Sequence, residues 1–325
     1  MMTPRISASQ YADFLATEYL SEFICEGGAA VKVAIVPDDI TASELTNAVS
    51  ERAKNMKICP VHVSAMATKV HLIQQLFFAV ASKLDWVTLA RAVVHRIARE
   101  NWGDQAAGRT TLGDMATAME IDRQMVQTQV HRSLSKVVMD DYLLAKDFRI
   151  AMSEICQSEL QPEAYTEQGR EAILQWLRGE LRLISAVKDK NIFHKIGRHS
   201  ARAMLSSAAR WIAKSGEGGL LVLLDIRQVG VLRRSDVMEG QFYYTPAMAM
   251  DVYEVLRQFI DATDEMQNFM LLVIAPDELL DDTTNRGFPK YQALKNRIWD
   301  DVRDRDRANP VAPMVRIASI GGGHP

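Results

Sequence analysis

Hydrophobic positions recur along the chain with two periods, and the alternation between them predicts the architecture. Tyr11, Phe14, Leu15, Leu20, Phe23 and Ile24 fall at roughly helical spacing over residues 10–25 and run out at Gly27-Gly28, which predicts a helix with a glycine stop. Residues 29–36, rich in Val and Ile, read as a short strand. Pro37-Asp38-Asp39 then leads into a helical pattern through Ile40, Leu45, Val49 and Ala53, followed by a strand at 58–63 and a helix at 71–84. Strand, helix, strand, helix at this pitch predicts a parallel sheet with right-handed crossovers. From Trp86 to about Lys214 the periodicity is helical only, with breaks near residues 103–108, at Gln161-Pro162 and near residues 188–191. The sheet resumes at 219–225, where Leu and Val end in Asp225. A helix from Pro246 to about Thr263, a strand at 269–275, a helix over 291–303 and a strand at 314–318 complete the pattern. Strands that are apolar without period-two alternation imply a sheet covered on both faces. The expected organisation is an α/β core in two chain segments, 1–85 and 216–325, interrupted by a helical insertion at 86–215.

Composition narrows the class. The chain has 325 residues, 48% hydrophobic and 24% charged, with a formal net charge of -3, as in an ordinary folded protein. Its longest apolar runs, 219–224 and 269–275, are of strand length and fall short of the roughly 20 residues of a membrane-spanning helix. No apolar signal segment follows Met1-Met2-Thr3-Pro4-Arg5, so a cytoplasmic location and no membrane association are expected. Cys25, Cys59 and Cys156 form no CxxC pair and are expected to be ordinary buried thiols, without disulfide or zinc.

A parallel sheet whose first strand turns directly into a helix is the place to look for nucleotide chemistry, because the helix N-terminus offers free N–H groups and a positive dipole end. The phosphate-binding sequence GxxxxGK[ST] supplies glycines that let the backbone wrap the phosphates, a Lys that neutralises them and a hydroxyl for magnesium. The turn here is Val36-Pro37-Asp38-Asp39-Ile40-Thr41, with none of those residues in place. Asp38 and Asp39 put carboxylates where phosphates would sit, and would themselves cap the helix. Thr41 and Ser43 are weak substitutes for the missing hydroxyl. The second diagnostic strand, 220–224 ending in Asp225, has the shape of the magnesium-side strand of P-loop ATPases, but Ile226 and Arg227 follow where an acid would position the attacking water.

Several segments together resemble a known family. Residues 219–227, Phe242-Tyr243-Tyr244, the run 251–264 from Asp251-Val252-Tyr253 to Asp264, residues 294–305 with Asn309-Pro310, and Gly27-Gly28-Ala29-Ala30-Val31-Lys32 look like the BREX-system ATP-binding protein family, BrxD-like relatives of the AAA/RecA-type P-loop ATPases. The resemblance spans most of the chain and is strongest after Gly219. It implies an α/β, P-loop NTPase-like (AAA/RecA-type) parallel-sheet core with a large helical insertion. It also implies a role in prokaryotic defence against phage, as one ATP-binding-fold subunit of a multi-protein system that marks or restricts DNA. The family's phosphate-loop glycines, Lys and Ser/Thr have no counterpart after Val36, so this chain reads as a degenerate member.

Other charged constellations suggest partners. Between Arg182 and Lys214 stand eight basic residues (Arg182, Lys188, Lys190, Lys195, Arg198, Arg202, Arg210, Lys214) against one acid, Asp189, with His194 and His199 as further donors. Such a block suits a phosphate backbone, a solvated helix face or an acidic partner. Residues 254–282 carry the opposite: Glu254, Asp261, Asp264, Glu265, Asp277, Glu278, Asp281 and Asp282 against Arg257. Opposite blocks in one chain fit head-to-tail self-association or an internal ion-paired interface. Asp281-Asp282 could hold magnesium, but their Thr-Thr-Asn-Arg-Gly surroundings read first as a polar loop. Residues 110–134 resemble a helix-turn-helix, with Glu120 in place of the usual turn glycine and with Arg123 and Gln127 among the base-reading candidates. The stretch 300–307 alternates Asp and Arg, which suits a local ion-pair network or an arginine finger offered to a different, active ATPase. No HExxH or GxSxG motif is present.

The expectation is a non-catalytic, pseudo-ATPase subunit of a phage-defence assembly, needing no cofactor of its own. Its partners would be a sister ATPase, a DNA-modifying or DNA-cleaving component, a second copy of itself, or double-stranded DNA gripped through Lys188, Lys190, Lys195, Arg198 and Arg202. The enzymatic alternative is an ATPase that binds ATP and magnesium through Lys32, Thr41 and Asp225. A third reading is a helix-turn-helix regulator that reads DNA with Arg123 and Gln127.

Overall fold

The computed structural model describes residues 4–106, 108–298 and 308–319. The chain divides into two compact units, one made of Met1–Leu76 and Glu217–Pro325 and the other of Phe77–Gly216.

The first unit is built on a sheet. The N-terminal helix α1 (Ala8–Leu15) is capped by Ser7, whose hydroxyl accepts from the Gln10 amide. It continues as a π-helical stretch, Ala16–Ile24, before the chain turns at Gly27 (φ 105°) into β1 (Ala29–Val36). Then come α2 (Asp39–Asn55), β2 (Ile58–Ser64) and α3 (Ile73–Ala81), which crosses the boundary between the units. In the second unit follow α4 (Trp86–Trp102), α5 (Leu112–Met119), α6 (Arg123–Leu134), α7 (Lys146–Leu160), α8 (Glu167–Arg178) and α9 (Arg198–Lys214). The sheet unit resumes with β3 (Gly219–Asp225), α10 (Pro246–Asp261), β4 (Phe269–Pro276), α11 (Gln292–Ile298) and β5 (Met314–Arg316). The predicted alternating stretch 300–307 lies outside the described residues.

Five strands pair in the order β2-β3-β4-β1-β5, and every pair is parallel, as the strand–helix alternation predicts. β3 is buried along its whole length and β4 at all but its last residue, which is why both read as unbroken apolar runs. One sheet face packs on α1, the π-helical stretch and α2 through Tyr11, Leu15, Leu45 and Val49 against Leu221, Leu223, Met270 and Leu272. Because the chain enters at β1, crosses to β2 and returns through β3 and β4 to reach β5, connections leave the carboxyl ends of β1 and β4 in opposite directions. Such a switch point is where open α/β sheets bind ligands.

The amino-terminal edge of this sheet is pinned by one polar side chain. Buried Asn268, itself at φ 53°, donates from Nδ2 to the carbonyls of Ile24 (2.9 Å), Cys25 (3.2 Å) and Gly218 (3.3 Å). Gly219 beside it sits at φ 149°, and a Cβ there would meet the Asn268 carbonyl oxygen at 2.4 Å. At the neighbouring strand β1, Lys32 is buried, lies over the Tyr19 ring and donates to the carbonyls of Val311 (2.5 Å) and Ala312 (3.2 Å). Burial pushes its ammonium down from 10.5 to about 8. The thiols divide: Cys156 is fully buried as expected, whereas Cys25 and Cys59 are only half-buried, both being near the open amino-terminal end of the sheet.

The helical unit has its own core, in which Trp86, Phe148 and Trp211 meet edge to face. Its buried carboxylate Glu159 is held by Arg91 (2.8 Å) and Arg170 (3.0 Å). Among the described residues no helix is long and apolar enough to cross a membrane.

Two stability outcomes are expected. Gly219→Ala should lower the unfolding free energy by about 2 kcal/mol or more, through left-handed strain and the carbonyl clash, read as a reduced urea midpoint. Lys32→Met should cost about 1–2 kcal/mol by orphaning two carbonyls. Its deficit should widen between about pH 8 and 10.5, the window in which the unfolded wild-type lysine holds a proton that the folded one has released, so that wild-type stability rises with pH. A deficit that stays flat across that window would show that Lys32 keeps its ordinary titration.

Candidate functional site

At the carboxyl edge of the sheet, parallel register lines up the ends of four strands. Val36 of β1 pairs with Pro276 of β4, while Asp225 of β3 sits between Ser64 of β2 and Ile274 of β4. The Ala65 amide donates to the Asp225 carbonyl (2.8 Å) and the Ile226 amide to the Ile274 carbonyl (2.9 Å), so the first residues beyond the strands still extend the ladder.

The connection from β1 to α2 consists of Pro37 and Asp38 alone. Pro37 has no amide hydrogen to offer. Asp38 is extended (φ -157°, ψ 172°) and its carboxylate accepts from the Thr41 amide at 2.7 Å, as a helix N-cap does. That bond, with the Thr41 hydroxyl and Ile40 amide nearby, holds the carboxyl below its ordinary range. Asp39, the first helical residue, projects outward and is exposed.

Arg227 joins this turn to the end of β3. Its Nε and backbone amide both donate to Asp225 Oδ1 at 3.0 Å, and its Nη2 reaches Asp225 Oδ2 at 2.7 Å, a two-pronged guanidinium–carboxylate pair. Its Nη1 bonds Asp39, which stands 188 positions away in sequence. The Asp225 hydrogen bonds, followed by the charges of Asp225 and Asp39, raise the guanidinium pKa above its ordinary value. The mouth thus holds three carboxylates, Asp38, Asp39 and Asp225, against this guanidinium.

The residues read from sequence as nucleotide ligands do not form one cluster by themselves. Asp225 is tied to Asp39 through Arg227; Thr41 is buried beneath its own helix turn, next to Asp38; and Lys32 is bonded to the 311–312 carbonyls. Asp281 Oδ1 accepts from the amide (2.8 Å) and hydroxyl (2.7 Å) of Thr283, the polar-loop arrangement that its surroundings suggest. Sequence reading noticed Arg227 as an anomaly, and missed its role; the signal available was an arginine at the position where an acid would be needed.

The DNA candidates fall on the helical unit. Lys190 pairs with Glu154 (3.4 Å) and Asp189 (3.7 Å), while Arg210 (2.6 Å) and Lys214 (2.9 Å) share Asp141. Arg202 is half-buried on α9. Lys188, Lys195 and Arg198 are exposed. Helices α5 and α6 follow one another across a short turn, in which Glu120 takes the left-handed conformation (φ 55°) that glycine would supply. Leu112, Met115, Val126 and Val130 of the two helices are buried. Arg123, however, is ion-paired to Glu163, and Gln127 is half-buried.

No curated protein and no solved structure matches this chain. A family model does, described as BREX system ATP-binding protein BrxC/D, over residues 45–322. The matched span begins within α2, after the β1–α2 turn, and takes in the rest of the sheet and the helical unit. With an all-parallel, P-loop NTPase-like sheet beneath a match over most of its length, the chain belongs to the BREX system ATP-binding protein BrxC/D family.

Proposed function

We propose that this chain serves a BREX defence system as a binding subunit that does not hydrolyse ATP. The observation that carries the reading is the two-residue turn between β1 and α2, closed by Asp38. A phosphate cradle needs the longer GxxxxGK[ST] loop, whose backbone N–H groups converge on the anion. Here one position of the turn lacks an N–H and the next directs a carboxylate at the helix N-terminus. Electrostatics point the same way. Two unit charges about 5 Å apart repel by on the order of 3 kcal/mol at an effective dielectric near 20, comparable with the roughly 1.5–3 kcal/mol of a charge-assisted hydrogen bond. A triphosphate facing an excess of carboxylates would need several such bonds from donors that this turn lacks.

The position after Asp225 supports the same conclusion. Ile226 is buried and apolar, and Arg227 engages the Asp225 carboxylate that would otherwise face a magnesium ion. No carboxylate follows Asp225 to orient a water. Residues of this edge therefore do not fit a hydrolysable magnesium–nucleotide complex. Membership in the family rests on residues 45–322, and so does not depend on the turn. As a member of a multi-subunit system the chain has other BREX subunits as partners, and we propose a sister ATPase and a DNA-modifying or DNA-cleaving component among them.

Calorimetry of the purified chain with ATP and magnesium should give no saturable heat. Binding that saturates, requires magnesium and is weakened by Asp225→Ala would overturn the reading in favour of an unconventional ATPase site. Arg227→Ala should destabilise the fold by about 2–3 kcal/mol, because it leaves the buried Asp225 carboxylate without its guanidinium; chemical denaturation reads this directly. An Arg227→Ala variant of unchanged stability would show that the bridge is incidental.

A further inference from the structure

The segment from Arg182 to Arg198 of the helical unit joins exposed cations to an exposed aromatic ring. Several basic side chains of this unit meet acids: Arg91 and Arg170 with Glu159, Arg123 with Glu163, Arg178 with Glu171, Arg210 and Lys214 with Asp141. Arg182, Lys195 and Arg198 are exposed and have no carboxylate partner among the described residues. A hydrogen bond joins Lys195 to Arg182, and Arg198 follows three residues later in sequence. Lys195 Nζ donates to the Arg182 carbonyl (2.8 Å), and the buried Trp176 indole donates to the His194 carbonyl (2.9 Å), fastening the 193–195 segment beside the end of α8. Arg198 opens α9 two residues after the Ile196 anchor, on a helix with no acid in its first turn and only Gly197 at its N-cap.

Two large apolar side chains stand in this basic surface. Phe193 is 52% exposed and Leu183 71% exposed, and Phe193 has no ring partner among the described residues. Water is a poor environment for an unstacked phenyl ring, and cations without a carboxylate partner in the same segment repel one another. A ligand that offers regularly spaced phosphates together with flat, unpaired bases would relieve both. Duplex DNA offers the phosphates but keeps its bases stacked inside; an acidic peptide offers charge without a stacking face.

We infer that this surface, formed by Arg182, Phe193, Lys195 and Arg198, binds single-stranded nucleic acid, with the cations on successive phosphates and a base stacked on Phe193. It goes beyond the sheet-edge reading and is independent of it, since calorimetry with ATP and oligonucleotide binding report on different units of the chain. Contacts of this kind are indifferent to base identity and strongly dependent on salt.

The test is fluorescence anisotropy of the full chain with a labelled oligothymidylate of about 20 nucleotides. Saturable binding should weaken with salt, and replacing the cations together (Arg182→Gln, Lys195→Gln, Arg198→Gln) should weaken it tenfold or more at low salt. The slope of log K against log salt should become shallower by about 2, from three lost contacts at about 0.7 each. Phe193→Ala alone should weaken binding about tenfold, with little change in slope. Lys54→Gln, on an exposed residue of the sheet unit, should leave it unaltered. Ultraviolet crosslinking of the unaltered chain should map to the peptide that contains Phe193, which keeps the test independent of variant folding. The inference falls if duplex DNA or polyglutamate binds as tightly and Phe193→Ala has no effect. It also falls if binding is absent, or is sequence-specific and lost on changing Arg123 and Gln127.

Discussion

Parallel pairing of five short strands is the constraint from which the rest of this molecule follows. Each strand must be re-entered from the same end, so a connection between neighbouring strands has to travel back along the sheet before the next strand begins. The central strands β3 and β4 are buried on both faces, and the strand ends line up where Val36, Asp225 and Pro276 stand. A carboxylate as buried as Asp225 cannot stand there unpaired. In a nucleotide-binding sheet, metal and phosphates would neutralise such a group. Here Arg227 does so from two residues away and reaches across to Asp39.

The same local accounting reshapes the two charge blocks. Asp261 in the acidic block pairs with Arg257 and Arg297, Glu254 with Arg257, and Asp277 with Arg5 and Arg316. The Glu254 carboxyl is held down to about 2 by hydrogen bonds from Arg257, Tyr291 and Gln258. Three of the eight acids, Glu254, Asp261 and Asp277, are thus ion-paired within the sheet unit. The basic block divides differently. Arg210 and Lys214 on α9 are paired to Asp141 and Lys190 to Glu154, whereas Arg182, Lys188, Lys195 and Arg198 face solvent. A count of charges over residues 182–214 could not separate these two sets, because pairing depends on acids from distant segments such as Asp141 and Glu154.

How far the elements were legible depends on what marks their ends. β1 and β3 were read to the residue, because an apolar run bounded by glycine, proline or aspartate leaves no choice of register. The helix expected over 71–84 is shorter, Ile73–Ala81: apolar periodicity reports burial, and Leu84 is buried without being helical. The π-helical stretch at Ala16–Ile24 carries no periodicity signal of its own, since it shifts the hydrogen-bonding pattern without changing which residues are apolar. Helix α6 was foreseen with Arg123 outward; Glu163, which occupies it, comes from a different part of the helical unit.

The sequence by itself determined the class of fold and the poverty of the phosphate turn, because both are properties of short segments: strand-length apolar runs separated by helices, and a strand-to-helix turn without glycine or lysine. Family resemblance was equally local, carried by runs such as 219–227 and 251–264. Strand order, the burial of Lys32 against the 311–312 carbonyls, and the bridge from Arg227 to Asp39 were decided only by the tertiary structure. Each joins groups that are tens to hundreds of positions apart, and an ion pair or hydrogen bond exists only where the path of the whole chain brings its two ends within about 3 Å.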